Sequence, residues 1–598
     1  MCTTPACIKL SAQILSSMDR SVQPCENFYE FTCGNYLRNA EDSLEFQTFG
    51  EKSVINTVQK KNDDDLKRIF TSKSLKSDLY KKAFDYYGQC MDHLRLQGNS
   101  TSDISDPIKI IKDLFEFSDI TVDVNNSELK ESNLFEILRN FSRVDASIFD
   151  TGIDRNPNNP KELMFVIGPL SAPVMESRFL ETPEIVAEYK KMIEKLSGAL
   201  GISANSSKIV EYEQFIARNK KVLKLDDLNL SETNRNVYLI SEFEKKYPDF
   251  DFKSYLTKQN PNYTPTLPKE AKVSFLPTEM KFITDLLKNS TMHPLLFESI
   301  KLQLLTQVAE LSNPDITKIL TDFYDFIYKT TTQTKDQNVN TCISTTRKFF
   351  PEMVNAMYIS SLKAESLTEQ IFIAQSVKNA FQARLENNQW LDSETKRKAI
   401  EKLKAMDLNI GYPKEFTNKT YLENKYKNYD LTHKSFIINS LSARMTRYSD
   451  ALKMLVDRDV YAPVWPDMQV NEVNAAYEPT KNSIFVPRGI WGMPFYDKSL
   501  PNVVSFGSIG STIGHEITHG FDNNGKNYDL TGQMKEWWSE AGDVKFKQKT
   551  KCFVDQYSGL EIKVSKNTNV SKKGDGDRAR DPTNKCRKFS VHHEHKTV

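Results

Sequence analysis

The 598-residue sequence lacks a charge excess of either sign, since 80 Lys and Arg residues stand against 79 Asp and Glu residues, a formal net charge of +1. A chain without a strong overall field does not attract nucleic acid or anionic lipid as a whole, and this excludes wholesale polyanion binding. Apolar residues make up 39% of the sequence, which is too many for a disordered chain. The composition predicts a large globular protein with substantial cores.

The sequence also lacks any run of about 18 apolar residues, the length that a membrane-spanning helix needs. Its first residues, Met1 to Cys7, contain neither the basic region nor the apolar region of a signal peptide. We therefore expect no membrane span and no export signal in this chain. Two interpretations stay open: the protein is cytosolic, or an N-terminal signal or anchor precedes residue 1.

The eight cysteines include no Cys-x-x-Cys pair of the kind found in zinc ribbons. They are therefore expected to form disulfides or to be free thiols. Glycosylation sequences of the type Asn-x-Ser/Thr recur along the chain, for example at Asn205 and Asn418, and they favour a secreted glycoprotein. Together these features predict an extracellular location.

Most of the chain before residue 456 has apolar residues at helical spacing. Past about Val460 the apolar residues fall in short runs punctuated by Pro and Gly, which are typical of strands. The predicted fold class is therefore α+β, mostly helical. Long helical stretches are expected at residues 51–92, 183–224, 278–311 and 362–385.

One helix in the middle of the chain is predicted in detail. Asp392 or Ser393 can cap its N-terminus, because a short polar side chain there accepts hydrogen bonds from the first free N–H groups. Ala399 and Leu403 fall on one apolar face. The basic residues of this helix, Lys402 among them, are predicted to lie on the solvated face.

The chemical motif of the sequence is His515-Glu516-Ile-Thr-His519. On a helix, His515 and His519 lie about one turn apart and project from the same face, so both imidazoles can bind one tetrahedral Zn²⁺. Glu516 lies beside the metal, where it can act as a general base toward water and then protonate a leaving amine. The motif is typical of zinc-dependent peptide hydrolysis. The alternative is a pair of surface histidines on an ordinary helix.

A second group of residues lies upstream of this motif, where Asn474 and Ala475 precede the apolar run 484–487. A strand beside a protease helix can bind an extended peptide as an added strand, through its edge carbonyls and an amide side chain. The alternative is a turn, which is the commoner place for Asn-Ala at the end of a strand.

These residues together resemble the neprilysin family of zinc endopeptidases, which includes the endothelin-converting enzymes. The resemblance covers nearly the whole chain, to about residue 559. The motifs that carry it are Cys2-x4-Cys7 and residues 25–34, 342–351, 390–413, 473–477 and 515–522.

The resemblance implies a thermolysin-like zinc peptidase catalytic part and a large helical second part, which together restrict substrates to small peptides. Cleavage would occur on the amino side of large apolar residues. The resemblance further implies that His515 and His519 bind one Zn²⁺ and that Glu516 is the general base. Asn474 and Ala475 would hold the substrate backbone.

By the same resemblance, Cys2 pairs with Cys7 and Cys90 pairs with Cys342, and Phe495 forms a pocket wall. The family is usually anchored in a membrane with its catalytic part outside the cell. The resemblance therefore implies an extracellular or cell-surface location for this chain.

Four parts of the chain are predicted on this basis. Residues 1–50 form an N-terminal segment that packs on the catalytic part, and residues 51–455 form a mainly helical peptidase N-terminal region. Residues 456–559 form an incomplete catalytic region that contains the His-Glu-x-x-His motif. Residues 560–598 are expected to be a basic, disordered tail that is foreign to the family.

The resemblance fails where the family supplies its third zinc ligand, a glutamate in a Gly-Glu-Asn-Ile-Ala-Asp helix downstream of the second histidine. Between Glu561 and Glu594 the sequence contains no glutamate. The family partners of Cys25, Cys33 and Cys552 belong to the same missing segment, so these three cysteines are expected to be unpaired. A frameshift, a mispredicted exon or an alternative terminus would produce this pattern.

Glu540 and the His-His-Glu-His cluster at residues 592–595 are the nearby candidates for a replacement ligand, and the sequence favours neither. Two hypotheses stay open: a zinc endopeptidase impaired by its missing third ligand, and a catalytically inactive peptidase-like binding protein. With two protein ligands, zinc affinity should drop and little cleavage is expected. A cytosolic structural protein is a distant third hypothesis.

Overall fold

The fold is given by a computed structural model of the chain. The basic segment from residue 574 onward, with Cys586 and the cluster at residues 592–595, lies outside the described residues. The structure describes residues 2–41, 53–72, 75, 77–96, 149–170, 175, 179–220, 236–248, 250, 252, 267–310, 314–328, 337–362, 367–433, 435–456, 465–558, 561–562 and 572–573.

Helices dominate the described chain, and the prediction of a mostly helical α+β protein is confirmed. The α-helices are α1 (Pro5–Ser17), α2 (Phe28–Glu41), α3 (Val54–Ser72), α4 (Lys81–Leu96), α5 (Pro183–Leu200), α6 (Ser206–Lys220), α7 (Ile240–Lys246), α8 (Pro277–Lys288), α9 (His293–Glu310), α10 (Pro314–Tyr328), α11 (Gln337–Phe349), α12 (Pro351–Ser361), α13 (Thr368–Glu386), α14 (Ser393–Ala405), α15 (Lys419–Tyr426), α16 (Phe436–Val456), α17 (Asn502–Gly507), α18 (Ile509–His519) and α19 (Glu540–Ser558).

Among the residues that the structure describes, the strands form three small sheets, with the orders β1-β2-β4-β3, β5-β7-β6 and β8-β9. In the second sheet β5 runs parallel to β7, while β6 pairs antiparallel with β7. This arrangement leaves β6 at an edge of the sheet. The strands are β1 (Phe149–Asn156), β2 (Asn159–Leu170), β3 (Val237–Leu239), β4 (Lys272–Phe275), β5 (Asp407–Gly411), β6 (Ala476–Glu478), β7 (Ser483–Pro487), β8 (Glu561–Ile562) and β9 (Lys572–Lys573).

Three of the predicted helical stretches are each divided into two helices. The stretch 183–224 contains α5 and α6, because Gly201 follows α5 with a φ of 67°, a left-handed conformation that ends a helix. The stretch 51–92 contains α3 and the first part of α4, and 278–311 contains α8 and α9. Helical spacing of apolar residues therefore located the helices but not the breaks between them.

The chain forms two compact units, each assembled from segments that are distant in sequence. The first unit comprises residues 1–66, 358–417 and 464–598, and the second comprises residues 67–357 and 418–463. The first unit contains the sheet β5-β7-β6 and the helices α13, α14, α17 and α18. The second contains the sheet β1-β2-β4-β3 with the helices from α4 to α11.

Helix α14 begins as predicted, because the Asp392 side chain accepts hydrogen bonds from the backbone N–H groups of Glu394 and Thr395 at 3.1 and 3.0 Å. The prediction that Lys402 lies on the solvated face is wrong. Its side chain is buried on the same face as Thr395 and Ala399. The residues are spaced i, i+4 and i+7, so they share one side of the helix.

Two disulfides predicted from the family resemblance are confirmed. Cys2 is bonded to Cys7, and Cys90 in α4 is bonded to Cys342 in α11. Three further cysteines form no disulfide with another described cysteine, and their expected lack of a partner stays a prediction: Cys25, Cys33 and Cys552. No helix within these described ranges is both long and apolar enough to cross a membrane.

Candidate metal centre

The His-Glu-x-x-His motif lies on helix α18 in the first unit. Ile509, Ile513 and Ile517 repeat every four residues and are fully buried in the core of this unit. This repeat fixes one face of the helix against the core. His515 and His519 project from a different face and are half-buried.

The two imidazoles converge as the sequence predicts. The Nε2 atoms of His515 and His519 are 3.0 Å apart, and the rings are nearly perpendicular at 86°. Two nitrogens that bind one tetrahedral Zn²⁺ at about 2.0–2.1 Å are separated by roughly 3.3–3.4 Å. A shift of a few tenths of an ångström therefore suffices for both nitrogens to hold one ion.

Asp522 orients one of these imidazoles. Its Oδ2 atom lies 2.7 Å from Nδ1 of His519, so Nδ1 carries the proton that this bond needs and Nε2 presents its lone pair toward His515. A carboxylate behind a metal-binding histidine fixes the tautomer and raises the basicity of the ring. The donor set of this site thus fits a zinc ion.

Glu516 is buried, with 6% of its surface exposed. Ligand atoms of His515, Glu516 and His519 all lie within 4.8 Å of one another. The described residues contain no other group of three such side chains. The Glu516 carboxylate is therefore next to the two imidazole nitrogens, where it can exchange a proton with a water molecule at the site.

The chain after α18 forms a compact turn, residues 520–528, which we call the post-helix turn. Asp522 organises it, because its Oδ1 atom accepts the backbone N–H groups of Asn524 at 2.8 Å and Gly525 at 2.7 Å. A side chain at Gly525 would place its Cβ 1.8 Å from the carbonyl oxygen of His519. Only glycine allows the turn to approach the end of the helix so closely.

Lys402 reaches this turn from helix α14. Its Nζ atom donates hydrogen bonds to the carbonyl oxygens of Gly520, Gly525 and Tyr528 at 2.7, 2.6 and 2.7 Å. Burial lowers the pKa of Lys402 to about 7, while the negative charge of Asp522 acts in the opposite direction. Three carbonyl acceptors match the three N–H donors of the charged ammonium form.

The two residues predicted to hold substrate backbone immediately precede β6. Asn474 is exposed, whereas Ala475 is buried. The preceding residue is held in place from helix α3, because the Val473 N–H donates to Oε1 of Gln59 at 2.8 Å. Helix α18 packs against β6, and this edge strand belongs to the same unit as the histidine pair.

Other predicted residues are placed as follows. Phe495 is half-buried and packs against the core of the first unit. Glu540 is exposed in the first turn of α19 and is not in the group formed by the two histidines and Glu516. Glu540 therefore lies apart from the two histidines. Trp537 is a core residue.

Sequence reasoning missed the supporting residues of the site. Asp522 stands three residues after His519, and this spacing on a continuing turn was the available signal. Lys402 stands three residues after Ala399, a spacing that places it next to the predicted apolar face of α14. No local pattern marks Gln59, because its contact joins residues that are far apart in the chain.

Comparison with known proteins gives the family. Sequence models of peptidase family M13 match residues 24–413 and 474–575. An endothelin-converting enzyme homolog of Locusta migratoria is 25% identical over 94% of this chain and 78% of its own length. Neprilysin-3 of Drosophila melanogaster is 25% identical over 94% of this chain and 72% of its own length.

Solved structures show the same fold. The crystal structure of PepO from Lactobacillus rhamnosis aligns with a TM-score of 0.74 at 19% identity, over 94% of this chain and 85% of its own. The zinc metalloprotease Zmp1 of Mycobacterium tuberculosis, in complex with an inhibitor, aligns with a TM-score of 0.71 at 16% identity, over 95% of this chain and 84% of its own. The resemblance to neprilysin and the endothelin-converting enzymes is confirmed, and the chain belongs to peptidase family M13, a family of zinc metalloendopeptidases.

Proposed function

We propose that the first unit is the catalytic unit of a zinc-dependent endopeptidase of the neprilysin type. One Zn²⁺ is held by His515 and His519, and Glu516 is the general base. The observation that supports this most directly is the imidazole pair with its Nε2 atoms 3.0 Å apart, oriented by Asp522 and adjacent to the buried Glu516.

When bound, Zn²⁺ supplies a Lewis acid that polarises a peptide carbonyl and lowers the pKa of water. The side chains of this chain supply the proton transfers. Glu516 takes a proton from the attacking water and later delivers it to the leaving amine, which is general acid–base catalysis by one carboxylate. The Asp522 bond keeps the Nε2 lone pair of His519 free for the metal throughout.

The edge strand β6 is the proposed substrate-binding strand. An extended peptide added to this edge would form main-chain hydrogen bonds, with Asn474 and Ala475 holding its backbone. The proposed substrates are small peptides, cleaved on the amino side of large apolar residues. This specificity rests on the family resemblance, and the half-buried Phe495 is the candidate pocket wall.

We further propose that zinc binding by these 598 residues is weak and turnover is low. Apart from the two histidines, the described side chain that joins the group is Glu516, which is assigned here to proton transfer. Catalytic zinc sites usually have three protein ligands. Loss of one ligand lowers affinity and leaves the position of the attacking water poorly fixed.

An extracellular site of action is proposed as well. The two disulfides, Cys2–Cys7 and Cys90–Cys342, form and persist in oxidising compartments and are rare in the cytosol. This agrees with the location implied by the family.

The test is a titration of the metal-free 598-residue chain with zinc. A chromophoric chelator competes for the metal, and hydrolysis of a quenched fluorescent peptide with a central Phe is followed in the same samples. We expect one zinc ion per chain, weak binding and slow hydrolysis that rises with free zinc. His515→Ala should abolish both signals, and His433→Ala, an exposed histidine of the second unit, should change neither.

Three results would count against the proposal. Zinc binding without any zinc-dependent hydrolysis would favour the inactive, peptide-binding alternative. Rapid, chelator-sensitive hydrolysis without added zinc would contradict the proposed impairment. Equal cleavage of a matched peptide with Asp in place of Phe would contradict the proposed specificity.

A further inference from the structure

Lys402 is a buried charge with an unusual set of partners. Its side chain is 1% exposed, and Nζ donates to three carbonyl oxygens of one segment, those of Gly520, Gly525 and Tyr528. An ammonium group has three N–H donors and no acceptor, so these bonds use its full capacity. A buried charge is tolerated when its hydrogen bonds are satisfied in this way.

Aromatic rings surround the same ammonium group. The ring centroids of Tyr477, Phe521 and Trp537 lie 5.6–5.9 Å from Nζ of Lys402. These contacts are at the outer limit of the attraction between a cation and an aromatic ring. An apolar side chain of the same length would pack against these rings equally well. The particular contribution of a lysine is therefore to join the three carbonyl groups.

Gly525 connects this ammonium group to the metal centre. Its carbonyl oxygen accepts from Lys402 at 2.6 Å, and its own N–H donates to Oδ1 of Asp522 at 2.7 Å. The other carboxylate oxygen, Oδ2, lies 2.7 Å from Nδ1 of His519. A continuous series of hydrogen-bonded groups thus runs from α14 to the imidazole.

We propose that Lys402 is a positioning residue of the metal centre: it fixes the post-helix turn, residues 520–528, and thereby holds Asp522 against His519. The metal-binding consequence rests on the proposed function, since it assumes that His519 binds zinc. The effect on the turn does not depend on that assumption. Lys402 touches neither metal nor substrate in this account and acts through Asp522.

Lys398 provides a matched control. It lies one turn earlier on α14 and donates to the carbonyl oxygen of Trp537 at 3.1 Å. Like Lys402, it is a lysine that joins α14 to a backbone carbonyl of the segment after α18. Its bond does not reach the post-helix turn that contains Asp522.

The first experiment measures zinc affinity by chelator competition in Lys402→Met, Lys398→Met, Asp522→Asn and the double variant Lys402→Met/Asp522→Asn. We expect Lys402→Met to weaken zinc binding about 10-fold or more, as loss of an outer-shell partner does, and Lys398→Met to leave it unchanged. The double variant should bind no more weakly than Asp522→Asn alone, because both changes break the same series of bonds. If the loss of zinc affinity in the double variant equals the sum of the losses in the two single variants, expressed as free energies, the proposal is overturned.

The second experiment needs no metal. Hydrogen–deuterium exchange of the metal-free chain should be faster over residues 520–528 in Lys402→Met than in the wild type or Lys398→Met. Unchanged exchange there would overturn the proposal even if the chain proves to be a peptidase. Faster exchange in a chain that binds no zinc would support the positioning of the turn while contradicting the proposed function.

If Lys402→Met does not fold, Lys402→Gln takes its place, because the amide keeps two N–H donors without the charge. Exchange over residues 520–528 should then still be faster than in the wild type, and zinc binding should still be weaker, but both changes should be smaller than those expected for Lys402→Met. Failure of both variants to fold, with Lys398→Met folded, would mean that Lys402 supports the fold as a whole and would overturn its assignment to the metal centre.

Discussion

At the scale of single residues, the candidate metal centre depends on a few polar atoms held in place by backbone groups. Asp522 uses both carboxylate oxygens, one toward His519 and one toward the N–H groups of Asn524 and Gly525. An outer carboxylate of this kind acts on metal affinity through the ligand that it orients. Zinc affinity should therefore fall even when a single carboxylate oxygen of Asp522 is replaced by an amide nitrogen.

Asp522→Asn tests this dependence. An amide has a single acceptor oxygen, so either Nδ1 of His519 or the backbone N–H groups lose their acceptor, and we expect zinc affinity to fall about 10–100-fold. Asp529→Asn is the control, because this carboxylate accepts from Thr531 and Gln533 in the neighbouring turn. Equal effects of the two substitutions in a chelator competition assay would refute the role of Asp522.

The same residues show what the sequence could predict and what it could not. The spacing of His515 and His519 on one helix predicted their convergence, because helix geometry alone fixes it. The position of Lys402 is harder to predict, because a lysine usually lies at the surface, although it stands three residues after Ala399 on the predicted apolar face. The bond from Gln59 to Val473 joins residues 414 apart, and no local rule reveals such a contact.

At the scale of elements, helix α14 connects the cap at Asp392 with the buried Lys402. Hydrogen bonds from the Ser539 hydroxyl and from the backbone N–H of Thr395 hold the pKa of Asp392 well below its usual range. The carboxylate thus fixes both the start of α14 and the residue that precedes α19. A charged cap of this kind contributes stability that depends on pH.

Asp392→Ala should destabilise the protein by about 1 kcal/mol or somewhat more near pH 7, the usual range for loss of a helix cap. Because the folded-state pKa is lowered, the ionic contribution is complete above the unfolded-state pKa of about 3.9. This ionic contribution to stability is lost as the pH falls toward the folded-state pKa of Asp392. The difference in melting temperature between wild type and variant should therefore narrow progressively below about pH 4.

Asn418→Ala is the uncharged comparison, since Asn418 caps α15 by accepting the N–H of Tyr421 at 3.1 Å. In protein produced without glycosylation, its effect on melting temperature should stay nearly constant between pH 7 and pH 3. A pH-independent effect of Asp392→Ala would contradict the assigned origin of its pKa shift.

At the scale of the whole molecule, segments distant in sequence assemble each compact unit. The first unit draws on residues 1–66, 358–417 and 464–598. Helical spacing predicted most of the helices, because that signal is local. The grouping of the segments depends on long-range packing, such as that of α14 on the post-helix turn, and the sequence pattern does not contain it. The boundaries at residues 50, 455 and 559 remain predictions.

The disulfides should stabilise the molecule unequally. Cys90 and Cys342 are 252 residues apart, whereas Cys2 and Cys7 are 5 apart. In the chain-entropy relation, closing the longer loop stabilises the folded state by about 3 kcal/mol more. Calorimetry should therefore show a larger loss for the paired alanine variant of Cys90 and Cys342 than for that of Cys2 and Cys7. Equal losses would contradict this ranking.

We propose above that the His515–Glu516–His519 group performs zinc-dependent peptide hydrolysis with Glu516 as the base. The decisive experiment measures zinc binding and hydrolysis at saturating zinc in the variant Glu516→Gln. We predict zinc affinity within a few-fold of the wild type and a rate at least about 100-fold lower, the usual effect of removing a general base. Hydrolysis by Glu516→Gln at the wild-type rate, with zinc bound, would contradict the role of Glu516 as the general base.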